Sequence, residues 1–314
     1  MKRKAIIISI KGYQLTLKEK NLLAFEKPWG LILFKRNVKS LVQIKKLIKK
    51  IRKITKDKKF PIMIDEEGGK VSRLNKIMNH SVTQKKFGEL YETDSKLALT
   101  IYKNYINNLT KFLKNVGINI NTVPVLDVIR KNTSKILENR SFSKNPNVVK
   151  KLGQACIKQY EINKLGTVIK HIPGHGCASI DSHLNLPKVN LSYKNLEKKD
   201  FLPFKSNSSK FAMTAHVLYS KIDKLNVATF SKKIIFKVIR KNIGFKGILI
   251  SDDISMKALK YDLITNAKKS LSAGCNLVLY CAGRYQDTIK LIKSVPFIDK
   301  FTEKKTSEFY KFLR

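Results

Sequence analysis

Three of the five histidines in this chain occur in one glycine-rich segment that follows an apolar run. They are His171, His175 and His183, and Asp181 stands two residues before the last of them. A carboxylate next to an imidazole is typical of acid/base catalysis, because it fixes the tautomer of the ring and supports its protonated form. The same residue types could bind a metal ion, although a Pro-Gly pair between the first two histidines prevents the helix that zinc hydrolases use. A set of hydrogen-bonded structural histidines is the third interpretation.

Further polar side chains stand at the ends of other apolar runs. Asp65 ends one run, and a Gly-Gly pair lies between it and Arg73, which suits a turn that brings both side chains into one pocket. Asp252 and Asp253 end another run, and either could instead cap a helix that begins near Met256. The sequence therefore predicts one site that several of these ends share. The other polar residues at the ends of apolar runs are Asp127, Lys170, His171 and His216. For Asp127 and His216, a contact with substrate and a purely structural role are equally consistent with the sequence.

The elements that must position these side chains alternate between strand and helix. Each of eight β-branched or apolar runs is followed by a longer segment in which apolar residues have helical spacing. This alternation indicates an α/β fold, and eight units without a composition break favour a single (β/α)8 TIM barrel domain over residues 1–314. A doubly wound sheet is the alternative. The predicted strands are 5–10, 30–34, 60–65, 120–128, 167–172, 211–217, 247–252 and 276–281. The predicted helices include 15–25, 40–54, 94–116, 147–164, 231–242 and 256–273.

The composition is strongly basic. The chain has 314 residues, with 64 Lys and Arg against 23 Asp and Glu, which gives a formal net charge of +41, and 43% of its residues are hydrophobic. This content of apolar residues excludes an intrinsically disordered or low-complexity protein. The lysines are spread along the whole chain, whereas a nucleic-acid-binding face would concentrate arginines and aromatics. No specific nucleic-acid partner is therefore expected, and a basic protein that binds nucleic acid or a membrane surface is the alternative from a different class.

No segment predicts membrane insertion or export. The first apolar run, 5–10, is too short for a membrane span or a secretory signal. The four cysteines have neither C-x-x-C spacing nor the density of a disulfide scaffold, which suits a reducing compartment. We therefore expect a soluble, cytoplasmic protein without a structural zinc site, and the oligomeric state stays open.

Five motifs follow one another along the chain: IDEEGGKVSR (64–73), PVLDV (124–128), NRSF (139–142), KHIPGHG with DSH (170–183) and ISDDISM (250–256). In this order they resemble glycoside hydrolase family 3, and more narrowly its single-domain β-N-acetylglucosaminidases of peptidoglycan recycling. The resemblance extends from about Gly12 to Cys281. It implies a (β/α)8 barrel that removes terminal non-reducing N-acetylglucosamine from cell-wall or anhydro-muropeptide fragments. It also implies retention through a covalent glycosyl-enzyme intermediate, with no metal and no cofactor.

The resemblance also implies roles for individual residues. Asp252 corresponds to the catalytic nucleophile and His183 to the acid/base, with Asp181 as the partner of the histidine. Most glycosidases use two carboxylates, whereas an imidazole titrates near neutral pH without much tuning by its surroundings. The positions that bind N-acetylglucosamine in the family are those of Asp65, Arg73, Arg140, Lys170 and His171.

Two positions depart from the family pattern, since Glu66 stands where Gln is common and Lys70 where Arg is common. Neither has an implied role, and Glu66 is the first alternative proton donor to test in place of His183. The closest enzyme alternative is a family-3 β-glucosidase, which usually carries a second domain with a carboxylate acid/base, whereas this chain ends shortly after the eighth unit. A metal-dependent barrel hydrolase is the second enzyme alternative. The expected partner is a small saccharide or muropeptide substrate.

Overall fold

The barrel predicted from the alternating pattern is confirmed. A computed structural model describes residues 2–131, 133, 135–178 and 185–314. Its strands are β1 (Lys4–Ile8), β2 (Pro28–Leu33), β3 (Ile62–Ile64), β4 (Ile120–Asn121), β5 (Gly166–Ile172), β6 (Lys188–Val189), β7 (Phe211–Thr214), β8 (Leu218–Tyr219), β9 (Ile248–Asp253) and β10 (Leu277–Leu279). Eight of these strands close a parallel barrel in the order β1, β2, β3, β4, β5, β7, β9 and β10. Each predicted strand overlaps one barrel strand, whereas the separate two-stranded sheet of β6 and β8 was not predicted.

The fourth barrel strand is shorter than the predicted 120–128, because β4 ends at Asn121. Pro124 follows it, and proline has no N–H to donate to a neighbouring strand. The chain nevertheless continues beside β5, since the Leu126 N–H donates to the Lys170 carbonyl at 2.7 Å. Asp127 therefore still reaches the carboxyl end of the barrel.

Helices surround the strands. The α-helices are α1 (Leu17–Asn21), α2 (Leu41–Thr55), α3 (Gln84–Thr93), α4 (Ser95–Val116), α5 (Lys135–Glu138), α6 (Pro146–Ile162), α7 (Tyr193–Lys199), α8 (Leu263–Ala273), α9 (Tyr285–Ser294) and α10 (Lys300–Phe312). Helix α1 begins with a capping box, in which Thr16 and Glu19 each accept the other's backbone N–H. Helix α2 buries the apolar stripe expected at 40–54, which consists of Ile44, Leu47, Ile48 and Ile51. Among the helices of the described residues, none combines the length and apolar character needed to cross a membrane.

The helix predicted at 256–273 begins later than expected, at Leu263. Asp262 caps it, because its carboxylate accepts the N–H groups of Ile264 at 3.0 Å and Thr265 at 3.1 Å. Neither Asp252 nor Asp253 is therefore a helix cap. Two other predicted helices are partly π-helical, at Leu22–Glu26 and Ile234–Asn242.

Alternate residues of the barrel strands point into the lumen and form layers. The lower layer is apolar and consists of Ile32, Met63, Ile120, Val168, Phe211, Ile250 and Leu277. The residues two positions further along the chain form the next layer, and some of them stand just after a strand ends. They are Phe34, Asp65, Thr122, Lys170, Met213, Asp252 and Leu279. The period of two therefore places several of the predicted site residues directly above a packed apolar core.

Helix α10 fills the amino-terminal end of the barrel. Phe309 packs edge-on against Phe211, with 5.0 Å between the ring centroids. The Trp29 indole N–H donates to the Thr306 hydroxyl at 2.8 Å, which satisfies the one polar group of a fully buried side chain. This packing supports the apolar layer on which the polar end of the barrel rests.

Candidate active site

A cavity of about 310 Å³ opens at the carboxyl end of the barrel. The apolar residues that line it include Phe34, Met213 and Leu279. Its volume lies at the lower end of the range typical of small-molecule pockets, roughly 300–1,000 Å³. Six of the eight expected site residues line it, namely Asp65, Arg73, Arg140, Lys170, His171 and Asp252. The other two, Asp181 and His183, lie outside the described residues.

Five charged side chains alternate in sign along one wall of the cavity. The Arg73 guanidinium lies 3.1 Å from the Asp65 carboxylate, whose other oxygen lies 3.4 Å from the Lys170 ammonium. Lys170 also contacts Glu67 at 2.5 Å. The Arg140 guanidinium binds both oxygens of Glu67, at 2.7 and 2.9 Å. Because each charge has a partner, the wall can hold fixed donors and acceptors in a largely buried position.

The cations keep both carboxyl groups ionised. Burial alone would raise the pKa of Glu67, but Arg140 and Lys170 lower it to about 2. Burial also acts to raise the pKa of Asp65, and Lys170 and Arg73 together bring it well below its ordinary value. In return, Glu67 overcomes the effect of burial on Arg140 and raises the pKa of that guanidinium.

Acid should destabilise the protein in part through Glu67. The stabilisation by its ion pairs is complete above about pH 4.5, the pKa of an unfolded glutamate, and disappears as the pH falls towards the folded pKa of about 2. This difference corresponds to roughly 3 kcal/mol. We expect the free energy of unfolding in urea, measured between about pH 5 and about pH 2.5, to fall less steeply for Glu67→Gln than for the parent protein.

The matched control for this measurement is Glu89→Gln, since Glu89 forms only an exposed pair with Lys86. Its slope should equal that of the parent protein. Because Glu67→Gln also lowers the free energy of unfolding at neutral pH, the quantity to compare is the slope of that free energy against pH. Parallel curves for Glu67→Gln and the parent would contradict the expectation.

A tight turn returns the chain from Asp65 to Arg73. Gly68 and Gly69 have positive φ angles of 97° and 56°, and the Val71 N–H donates to the Gly68 carbonyl at 3.1 Å. A Cβ atom on Gly68 would lie 2.0 Å from a backbone oxygen, so another residue cannot replace it without a shift of the chain. The structure thus brings Asp65 and Arg73 together in one pocket.

The Arg73 side chain is held on more than one side. Its guanidinium carbon lies 5.3 Å from the centroid of the Phe34 ring. Its Nε atom is buried and makes no hydrogen bond to any of the described residues. A buried donor without a partner costs free energy.

Asp127 orients a histidine rather than lining the cavity. Its carboxylate accepts from the Nδ1 of His171 at 2.7 Å and from the backbone N–H of His175 at 2.6 Å. Burial raises the pKa of Asp127, but His171 lowers it overall. Burial lowers the pKa of His175 to about 4, so this ring is neutral at neutral pH. Of the two roles left open for Asp127, its contacts support the structural one.

The two adjacent carboxylates at the end of β9 differ in their surroundings. Asp252 follows the inward positions of Ile248 and Ile250 and is partly exposed in the cavity. Asp253 accepts the backbone N–H groups of Ser255 at 3.1 Å and Cys281 at 3.2 Å. Burial raises the pKa of Asp253 despite these hydrogen bonds. Asp253 thus ties β9 to the chain after β10.

Two other residues are structural. His216 is fully buried, with Nδ1 paired to the Thr229 hydroxyl at 2.7 Å and Nε2 to the Asp253 carbonyl at 3.0 Å. Glu66 is also fully buried and does not line the cavity. It therefore cannot serve as the alternative proton donor.

Three residues without a predicted role also line the cavity, namely Phe34, Glu67 and His175. Glu67 stands next to the Gly-Gly pair, and His175 lies in the histidine segment. The neighbouring residues could therefore have marked both as candidates for the site. Phe34 had the signal of the strand period, two residues after Ile32. Cys281 also lines the cavity.

Comparisons with known proteins identify the family of this chain. The family model described as the glycosyl hydrolase family 3 N-terminal domain matches residues 7–306. A beta-hexosaminidase of Nitrosomonas eutropha is 32% identical over 281 residues, which are 88% of this chain and 80% of the relative. A beta-hexosaminidase of Psychromonas ingrahamii is 32% identical over 97% of this chain and 88% of its own length.

Solved structures give the same result. NagZ from Neisseria gonorrhoeae, crystallised in complex with N-trifluoroacetyl-D-glucosamine, superimposes with a TM-score of 0.88 at 29% identity. The match covers 100% of this chain and 91% of that one. This chain therefore belongs to glycosyl hydrolase family 3, as a glycoside hydrolase of the β-hexosaminidase type.

Proposed function

We propose that residues 1–314 form one catalytic domain, a retaining exo-β-N-acetylglucosaminidase. Its proposed substrates are cell-wall or anhydro-muropeptide fragments with a terminal non-reducing N-acetylglucosamine, and its proposed location is the cytoplasm. The ligand of the Neisseria NagZ crystal, an N-acylated glucosamine, supports this choice of sugar. No metal and no cofactor are part of the proposal.

The observation that carries the proposal is that Asp252 lines the same small cavity as the charged wall. The wall offers the sugar donors from Arg73, Arg140 and Lys170 and acceptors from Asp65. Sugar hydroxyls both donate and accept, so a wall of alternating charge suits them better than a wall of one sign. The small volume suits one terminal sugar unit, which is what an exo-acting enzyme needs.

In the proposed reaction, a carboxylate oxygen of Asp252 attacks the anomeric carbon and forms a covalent bond to it. The bond to the leaving oxygen breaks, and that oxygen takes a proton from His183. In the second step His183 takes a proton from water, whose oxygen attacks the anomeric carbon and releases Asp252. Asp181 would support the charge on His183. The two inversions leave the configuration of the sugar unchanged.

The purified protein should hydrolyse an aryl N-acetyl-β-glucosaminide with a kcat/KM at least about 100-fold above that for the matched β-glucoside. The reason is that a site built to pair with the acetamido group leaves its own polar atoms unpaired when that group is missing. The measurement is the initial rate with each substrate. The same assay in EDTA separates this proposal from a metal-dependent hydrolase.

Each alternative gives a different result. A β-glucosidase would show equal or reversed preference, and a metal-dependent enzyme would lose its rate in EDTA. A binding protein with no catalytic function would hydrolyse neither substrate. Any of these three outcomes would refute the proposed function.

A further inference from the structure

A buried chain of three polar side chains lies directly behind the turn that carries Arg73. Glu66 on this turn pairs with Nδ1 of His80, and Nε2 of His80 pairs with the hydroxyl of Tyr105 on α4. The second oxygen of Glu66 accepts the backbone N–H groups of Arg73 at 2.8 Å and Leu74 at 3.0 Å. This chain of contacts therefore connects helix α4 to the backbone of a cavity residue.

The turn itself is fixed from the same side. The His80 carbonyl accepts the N–H of Gly69 at 2.9 Å. The main chain of Glu66 is held by Asn121, whose side-chain oxygen accepts the Glu66 N–H at 2.9 Å and whose amide donates to the Glu66 carbonyl at 3.0 Å. The main-chain N–H and carbonyl of Glu66 are thus both fixed, and its carboxylate is placed to hold the backbone of Arg73.

From these contacts we infer that Glu66, His80 and Tyr105 are positioning residues for sugar binding. They hold Arg73 where its guanidinium meets Asp65 and lines the cavity, but they do not line the cavity themselves. The inference rests on the proposed function, because it takes Arg73 as a sugar-binding residue. It gives a role to position 66, one of the two positions at which the chain departs from the family pattern.

One tautomer of the His80 ring satisfies all three groups. With its hydrogen on Nδ1, the ring would donate to Glu66 and accept at Nε2 from the Tyr105 hydroxyl, so that no donor or acceptor of the ring is left over. Glutamine at position 66 could reproduce the arrangement with the opposite tautomer. Its oxygen would accept the two backbone N–H groups, its amide would donate to Nδ1, and Nε2–H would donate to the Tyr105 oxygen. Alanine at this position leaves two buried backbone N–H groups without a partner.

The test is a double-mutant cycle in the full chain with Glu66→Ala, Arg73→Ala and the combined variant. The readouts are KM and kcat for an aryl N-acetylglucosaminide and the inhibition constant for N-acetylglucosamine. Each single variant should raise KM and the inhibition constant about tenfold while kcat changes much less, because the lost interactions bind substrate and product alike. In the Arg73→Ala background, Glu66→Ala should add less than about a twofold effect, since it acts through Arg73.

Conservative and control variants separate positioning from stability. Glu66→Gln should keep the inhibition constant within about threefold of the parent value, because glutamine can form the same hydrogen bonds. Asn119→Ala is the matched control, since Asn119 also bonds the backbone of a barrel segment, but at the amino-terminal end of β3. It should lower the melting temperature without changing the inhibition constant. Tyr105→Phe is a milder variant for the cycle if Glu66→Ala does not fold.

The two proposals fail in different ways. Suppose that Arg73→Ala raises KM, and that Glu66→Ala raises KM by the same factor in the Arg73→Ala background as in the parent protein. The two residues then act independently, so the positioning role is refuted and the hydrolase proposal stands. An Asn119→Ala variant that weakens sugar binding as much as Glu66→Ala would also refute the positioning role, because destabilisation would then suffice. If Arg73→Ala leaves the inhibition constant unchanged, Arg73 does not bind the sugar and the inference is wrong with it.

Discussion

Replacing Asp252 with Asn should lower kcat for an aryl N-acetylglucosaminide by roughly a thousandfold or more, because an amide oxygen is a poor nucleophile at an anomeric carbon. The melting temperature should change little, since Asp252 is partly exposed in the cavity and not part of the packed layer below it. A slowly released fluorinated N-acetylglucosaminide should label the parent protein at Asp252. Fragment mass spectrometry of the labelled peptide distinguishes this position from Asp253.

Asp253→Asn is the matched control, because it changes the neighbouring carboxylate in the same way. Asp253 holds the backbone of Ser255 and Cys281, so its loss should lower the melting temperature while kcat falls by no more than about tenfold. A label on Asp253, or a larger loss of kcat in Asp253→Asn than in Asp252→Asn, would reverse the assignment.

Replacing His183 with Ala should affect substrates according to their leaving groups. A sugar leaving group needs a proton as the bond breaks, so its hydrolysis should slow by roughly a hundredfold to ten-thousandfold. An activated aryl leaving group departs with little protonation, and its first step should slow much less. The measurement is kcat/KM for a disaccharide and for an activated aryl glycoside with parent and variant proteins.

The partner residue and the pH profile provide the controls for His183. Asp181→Ala should give the same contrast more weakly, because the imidazole remains while its orientation and charge support are lost. The His183 variant should also lose one titration near neutral pH from its rate profile. Equal losses on both substrates would make His183 a binding residue. In that case Glu66 is no substitute, since it is buried behind the cavity wall.

The positions of the polar residues that end the apolar runs were predictable, because side chains along a strand alternate between its two faces. In the apolar runs, Met63 precedes Asp65, Val168 precedes Lys170 and Ile250 precedes Asp252, always by two residues. Residues so spaced share a face, and the polar member stands where the run ends. The sequence alone thus indicated the barrel and the end of the barrel that holds the site.

Local sequence patterns predicted the wrong boundary for two elements, one helix and one strand. Helical spacing from Met256 predicted a helix, but Asp262 caps its first turn and moves the start to Leu263. Pro124 likewise ends the ladder of β4 early, although the apolar run continues. Such boundaries depend on which of several candidate caps finds its N–H partners, and spacing alone does not decide this.

The pairing of charges was decided by the tertiary structure alone. Glu67 lies 73 positions from Arg140 in the chain, and Asp127 lies 44 from His171, yet each pair is in direct contact. Which partners meet depends on barrel closure and strand register, because neighbouring strands bring together residues that no local pattern relates. The sequence determined the residue types at the carboxyl end of the barrel. Only the folded chain determined that Glu67 neutralises two cations, that Asp127 orients a histidine, and that Glu66 lies behind the wall.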